Sequence, residues 1–187
     1  MTLETERLLL RPYELDDAPA VHAYAGAPEN VCYMAWAPNA SLEATREVVQ
    51  SFLAQAEKEP RLNYDFAVTL RNGGQLIGGC GIYLQTAWFG PPFEGELGWI
   101  LHRDHWKQGY GTELARALVR FGFETLKLHR ITAPCYAENY GSYRIMENAG
   151  LSLECIRRQA IRDRDGNWND RREYAILEDE WNTAQEG

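Results

Sequence analysis

The stretch "FEGELGWILHRDHWKQGYGTELARALVRFGFETLKLHRITAPCYA" constrains the fold more than any other part of the chain. It begins as a strand, turns at "KQGYGTE", runs as a long amphipathic helix from Gly109 to Leu128 and ends in a second strand. Leu114, Ala115, Leu118, Val119 and Phe121 form a broad apolar face on that helix. A strand–helix–strand unit makes its two strands parallel neighbours, because a short hairpin cannot join them.

The other signals point to antiparallel pairing. "RLLLRPY" (Arg7 to Tyr13) predicts a first strand, and "ELDDAPAVHAYAGA" a helix with Asp16 and Asp17 at its positive end. "SLEATREVVQSFLAQAEKE" predicts a helix capped by Ser41 and closed by Pro60. "YDFAVTLR" and "QLIGGCGIYLQ" flank Asn72-Gly73-Gly74, a hairpin signal. "YGSYRIMENAG" predicts a short helix with Gly150 at its C-terminal end, and "LECIRRQAIRD" and "REYAILED" a last antiparallel pair across "RDGNWN". The expected order is β, α, α, β, β, β, α, β, α, β, β. This is an α/β fold with a mixed, mostly antiparallel sheet, one central parallel strand pair and helices on both faces.

The chain has 187 residues, no repeat and no linker, which fits one domain over 1–187. It has no apolar run long enough to span a membrane, and its charged start lacks a signal pattern, which favours the cytoplasm. A formal charge of −8 argues against nucleic acid and suits a cationic substrate such as an amine. Cys32, Cys80, Cys135 and Cys155 lie far apart without paired histidines, so buried thiols are expected and no metal site. The oligomeric state, a homodimer included, is open.

"GYGTE" places Gly109, Tyr110, Gly111 and Thr112 where a helix start presents free amides and partial positive charge. It lacks the third glycine of a dinucleotide fingerprint and the Lys-Ser/Thr of a P-loop. An anion cradle and a plain helix-start turn both fit the motif alone.

Three segments together carry a resemblance. "WKQGYGTELA", "RITAPCYAENYGSYRIMENAGL" and the opening "TERLLLRPYELDD" resemble the GNAT superfamily of acyl-CoA-dependent N-acetyltransferases, along nearly the whole chain. They look most like the branch containing ribosomal-protein alanine N-acetyltransferases, where tryptophan often replaces the Gln/Arg of the loop, as Trp106 does here. The resemblance implies acetyl-CoA as cosubstrate and a primary amine as acceptor, either a protein N-terminus or a small amine of the aminoglycoside or polyamine type. A non-catalytic acyl-CoA sensor is the other class. The loop from Gln108 through Gly109, Tyr110, Gly111 and Thr112 would hold the pyrophosphate. The backbone of Trp99, Ile100 and Leu101 would pair with the pantetheine arm, with the amide near Ile100 facing the thioester oxygen, and Asn139 would meet the arm's end.

Acetyl transfer needs a base for the ammonium, a donor for the oxyanion and a proton for the thiolate. Glu96 is the candidate base; the alternative is a carboxylate that orients the amine or forms a salt bridge. Glu94, two residues earlier on the same face, is the fallback. Met146 replaces the tyrosine that many members use as acid, so Ser142 is the candidate acid, against a purely structural first-turn serine. Tyr143 is a poorer substitute, and Cys135 reads as a strand thiol. His102, Arg103, His105 and Lys107 read as a polar turn, with phosphate contacts the alternative. Arg144 either approaches the nucleotide or is solvated. Tyr33, Trp36, Trp88 and Phe89 fall where the family places acceptor-binding loops; the alternative is core packing.

Overall fold

The computed structural model describes residues 1–87 and 89–186. Its strands are β1 (Leu3–Glu4), β2 (Leu8–Arg11), β3 (Asn63–Leu70), β4 (Leu76–Leu84), β5 (Glu94–Leu101), β6 (Arg130–Tyr136), β7 (Ser152–Arg162) and β8 (Trp168–Leu177). Its helices are α1 (Ala18–Ala25), α2 (Leu42–Ala56), α3 (Tyr110–Glu124), α4 (Tyr140–Asn148) and α5 (Glu178–Glu186). One sheet runs in the order β1-β2-β3-β4-β5-β6-β8-β7. Every neighbouring pair is antiparallel except β5–β6, which is the expected central parallel pair.

Strand alternation divides the core into two layers. Phe66 and Val68 point toward α3 and meet Leu114, Leu118 and Phe121, while Ala67 between them points toward α1 and α2 and meets Val21 and Val49. Each such side chain, fully buried, contributes about 1.5–3 kcal/mol. Helices therefore cover both faces, as the sequence predicts.

Several local signals act as expected. Ser41 accepts from the Ala44 amide at 3.1 Å and caps α2. Gly73 and Gly74 take positive φ in the β3–β4 turn, and Gly150 takes φ +96° just after α4. Two expectations need correction. The first strand is only Leu8–Arg11, with a two-residue partner at Leu3–Glu4. The strand predicted over "REYAILED" stops at Leu177, and the chain adds a helix missing from the expected order. Glu178, Asp179 and Glu180 crowd the first turn of α5, where the helix dipole favours them. Trp181 then packs on Phe123, with ring centroids 5.4 Å apart.

The parallel pair is incomplete, and the sequence explains where it stops. Paired residues are Glu94↔Arg130, Gly95↔Ile131 and Glu96↔Thr132. Arg130 donates its amide to the Phe93 carbonyl at 3.1 Å. Continuing that ladder two residues at a time brings residue 134 to the Leu97 carbonyl. Residue 134 is proline and has no N–H to give. Beyond Glu96 the two strands part, while β6 continues against β8 as far as Tyr136↔Arg171.

Candidate functional site

The parting of β5 and β6 leaves one edge of β5 open. The Gln85 amide donates to Glu94 O at 2.9 Å, and the His102 amide to Ile77 O at 2.8 Å. The even-numbered backbone groups of β5 thus face β4, and the odd ones face the gap. The Leu97 N–H makes the last ladder bond, to Thr132 O; beyond it the Leu97 C=O and the N–H and C=O groups of Trp99 and Leu101 are presented there. Ile100, the residue predicted to face the thioester oxygen, turns its amide to β4 opposite Gly79. At the end of the edge, the Leu101 carbonyl accepts from Trp106 Nε1 at 2.8 Å and from Asn30 Nδ2 at 3.2 Å. Trp106 thus ties the following loop to the strand. Asn30, 7% exposed, keeps a buried Oδ1 with no hydrogen-bond partner.

The loop "WKQGYG" leads from this edge into α3. Gly109 is the N-cap residue, in the left-handed region at φ +84°, followed by right-handed Tyr110. Such a left–right sequence turns successive amides to one side and makes a concave anion seat. Glu113 N already bonds Gly109 O at 3.1 Å, so Tyr110, Gly111 and Thr112 supply the free helix-start amides. The two glycines do different jobs. Gly109 provides the turn, whereas a Cβ on buried Gly111 would fall 2.4 Å from Ile145 Cδ1, so Gly111 lets α3 press on α4. Gln108 spends its side chain on Asp104 O at 2.8 Å, and its carbonyl accepts from Arg7 Nη1 at 3.0 Å. Arg7 also pairs with Glu113 at 2.7 Å and lies over the Tyr110 ring.

Glu96 stands where the parallel ladder ends, on the sheet face shared with α1 and α2. Burial holds its carboxyl above the usual carboxylate range; Arg171 opposes this, and Glu173 and Glu94 reinforce it. Arg171 Nη2 lies 3.7 Å from Glu96 Oε2. Glu94 is bound to Arg130 at 3.1 Å, and Arg130 is also forked by Glu154, so the fallback base is already engaged. From β4, Tyr83 lies opposite Glu96 and donates to Asp65 Oδ1 at 3.0 Å. Its ring lies along the sheet over Gly81 and Gly98, where any Cβ would crowd it.

On the other face, Asn139 caps α4 by accepting from the Ser142 amide at 3.1 Å. Asn139 is thus the capping residue and Ser142 a first-turn serine whose hydroxyl lies near Cys135. Burial pushes the Cys135 thiol up to about 11, against the opposing influence of Arg172, Arg171 and Ser142. Such a thiol is a poor nucleophile. Arg172 lies over the Tyr143 ring at 4.5 Å and bonds Ala137 O at 3.1 Å.

The remaining candidates scatter. Tyr33 (41% exposed) meets Tyr136 at the end of β6, with centroids 5.6 Å apart, and Trp36 is 36% exposed, so neither is a core residue. Phe89 is exposed, and Trp88 lies outside the described residues. Arg103 pairs with Glu29, and Arg144 with Glu147 on the surface of α4. Cys80 and Cys135 are buried, but Cys32 and Cys155 are exposed, contrary to expectation. Sequence reasoning missed Arg171 and Asn30. The strand pattern of "REYAILED" gave no sign that the preceding arginine reaches across β6, and nothing local marks Asn30.

Comparison with known proteins agrees with this geometry. The family model of the acetyltransferase (GNAT) domain matches residues 7–152. The uncharacterized N-acetyltransferase YnaD of Bacillus subtilis (strain 168) is 34% identical over 182 residues, covering 97% of this chain and 100% of its own. A GNAT-family acetyltransferase from Bacillus anthracis superposes with a TM-score of 0.81 at 33% identity, over 96% of this chain and 99% of that one. RimL, a ribosomal L7/L12 α-N-protein acetyltransferase solved with coenzyme A, shares the fold with a TM-score of 0.82 at 19% identity, over 96% and 99% of the two chains. Spanned by the family model over most of its length and matched end to end by a relative at 34% identity, this chain belongs to the GNAT family of N-acetyltransferases.

Proposed function

We propose that the chain transfers an acetyl group directly from acetyl-CoA to a primary amine. The observation that carries this reading is the open edge of β5 lying between two features. At one end is the amide seat of Tyr110, Gly111 and Thr112; beside the other is Glu96. The pyrophosphate of coenzyme A fits the seat, since anions are favoured at a helix start. The two amides of the pantetheine arm fit the free C=O of Leu97 and the free N–H and C=O of Trp99 as an added strand would. The buried, unpaired Oδ1 of Asn30 fits an N–H of the same arm. The thioester supplies the acetyl group, and this chain's residues supply position and proton handling.

Glu96 takes the ammonium proton, directly or through a water. Burial raises its pKa and so brings it nearer to that of the amine. The amine forms the C–N bond as the C–S bond breaks. The Trp99 amide, on the gap side of β5, is the oxyanion donor in place of Ile100. Ser142 relays to the departing thiolate the second proton that the amine nitrogen sheds on becoming an amide.

Calorimetric titration with acetyl-CoA tests the first half: no binding at tens of micromolar sinks it. Given binding, Glu96→Gln should lose most turnover, and unchanged kinetics would remove Glu96 as base. A protein N-terminus is the acceptor favoured by the branch resemblance, with a small amine as the alternative. Tight coenzyme A binding without acetylation of any amine would favour a sensor.

A further inference from the structure

Arg171 sits in the candidate site with a donor unused. It lies on β8 opposite Tyr136 and reaches over β6 to within 3.7 Å of Glu96. Its Nε is 3.1 Å from Glu173 Oε1 but out of hydrogen-bond line, and is buried without a partner. A buried N–H left unpaired is costly, so the arrangement asks for an acceptor atom. The other charges nearby are engaged: Glu94 with Arg130, Arg130 with Glu154, Glu173 also with Arg157 at 3.2 Å, and Tyr83 with Asp65. Glu96 is left beside Arg171, whose Nη2 faces it while its Nε lies against Glu173.

An α-aminoacyl group is the complement of that pair. Its ammonium nitrogen and its carbonyl oxygen stand three bonds apart, cation beside acceptor. An alkylamine or a polyamine brings cations alone. It would offer the guanidinium no acceptor and place a like charge against it. We propose that Arg171 determines acceptor specificity by donating to the carbonyl or carboxylate oxygen of an α-amino acceptor while Glu96 receives its ammonium. Arg171 and Glu96 hold each other until the acceptor parts them, and Glu173 keeps Arg171 in place. This inference rests on the acetyl transfer proposed above. An α-amine, with pKa about 8 against about 10.4 for a lysine-type amine, also offers a few hundred-fold more free base at neutral pH. The Tyr33–Tyr136 pair lies on this side of the gap and can take the first side chain.

The test compares alaninamide, alanine, propylamine and 1,4-diaminobutane as acceptors, with rates corrected for the fraction of free amine. The wild type should show kcat/KM for alaninamide at least tenfold above propylamine and diaminobutane. Arg171→Gln should lower that ratio at least tenfold, and Arg171→Lys, which keeps charge but not Nε, by a smaller factor. Alanine against alaninamide tells a free carboxylate from a peptide-type carbonyl. A wild-type ratio near one, or a ratio unmoved in both variants, overturns the proposal. If no amine is acetylated, the acetyl-transfer reading itself fails. Calorimetric binding of alaninamide against propylamine to wild type and Arg171→Gln then decides the present inference by the same ratio.

Discussion

Strand β5 is paired on both sides in its first half and on one side in its second. Glu94–Glu96 pair with both β4 and β6, while beyond the Leu97 amide the strand bonds β4 alone. The first half is acidic and the second apolar, and both contain a glycine. What separates them lies across the gap, in one residue of β6 that cannot donate. Pairing thus divides along a single strand: the ladder to β4 is uninterrupted for seven paired residues, and the ladder to β6 stops after three.

The largest change should come from damaging the closed side. In Gly78→Ala, the new Cβ would lie 2.2 Å from the Ile100 carbonyl oxygen, a backbone atom that cannot step aside. A loss of about 3 kcal/mol is expected, or roughly 6–12 °C in Tm by thermal unfolding. Pro134→Ala instead restores the missing donor of the open side. The new bond gives about 1 kcal/mol, and the more flexible unfolded chain takes back about 0.4–1. Stability should stay nearly constant while coenzyme A affinity falls about tenfold as the gap narrows, a split visible by calorimetry. Asn139→Ala removes the cap of α4 at the mouth of the gap and should cost about 1 kcal/mol in denaturant unfolding.

The smallest effect concerns Asp65, under Tyr83 on the closed side. Burial raises its pKa, only partly opposed by Tyr83 and Arg61. The folded state therefore holds this proton more tightly than the unfolded chain does, and stability from this site is full below the ordinary carboxylate pKa. It is lost as pH rises through the raised folded-state value. Asp65→Asn, which still accepts from Tyr83, should gain Tm relative to wild type between pH 4 and pH 7; a constant difference would contradict the raised pKa.

Legibility in the sequence followed the range of the interaction. Ser41, Asn72-Gly73-Gly74 and Gly150 act on their own neighbours, and each was readable. The parallel pair was readable too, because its connection is contiguous. The extent of the pair was not, since Pro134 matters only once the register Gly95↔Ile131 is known. Parity was hidden around Ile100: which amides of that stretch face the gap depends on the pairing with β4, and the Ile100 amide turns to β4. Helix α5 was hidden by the apolar alternation of "YAIL" running into its acidic first turn. Arg171 was hidden because its partner lies 75 positions away in sequence, on a strand that it does not touch in the ladder.

The Leu101 carbonyl, held by Trp106 and Asn30, also gives the open edge a length. Below it the pairing with Thr132 sets the other limit. Between these stops, Leu97 and Trp99 offer about two strand repeats, roughly 13 Å of extended backbone. If the gap binds as proposed, it is also a gauge: an extended guest would be measured by the number of amides it brings, and one with a longer ladder would meet an occupied carbonyl at one end and a closed sheet at the other.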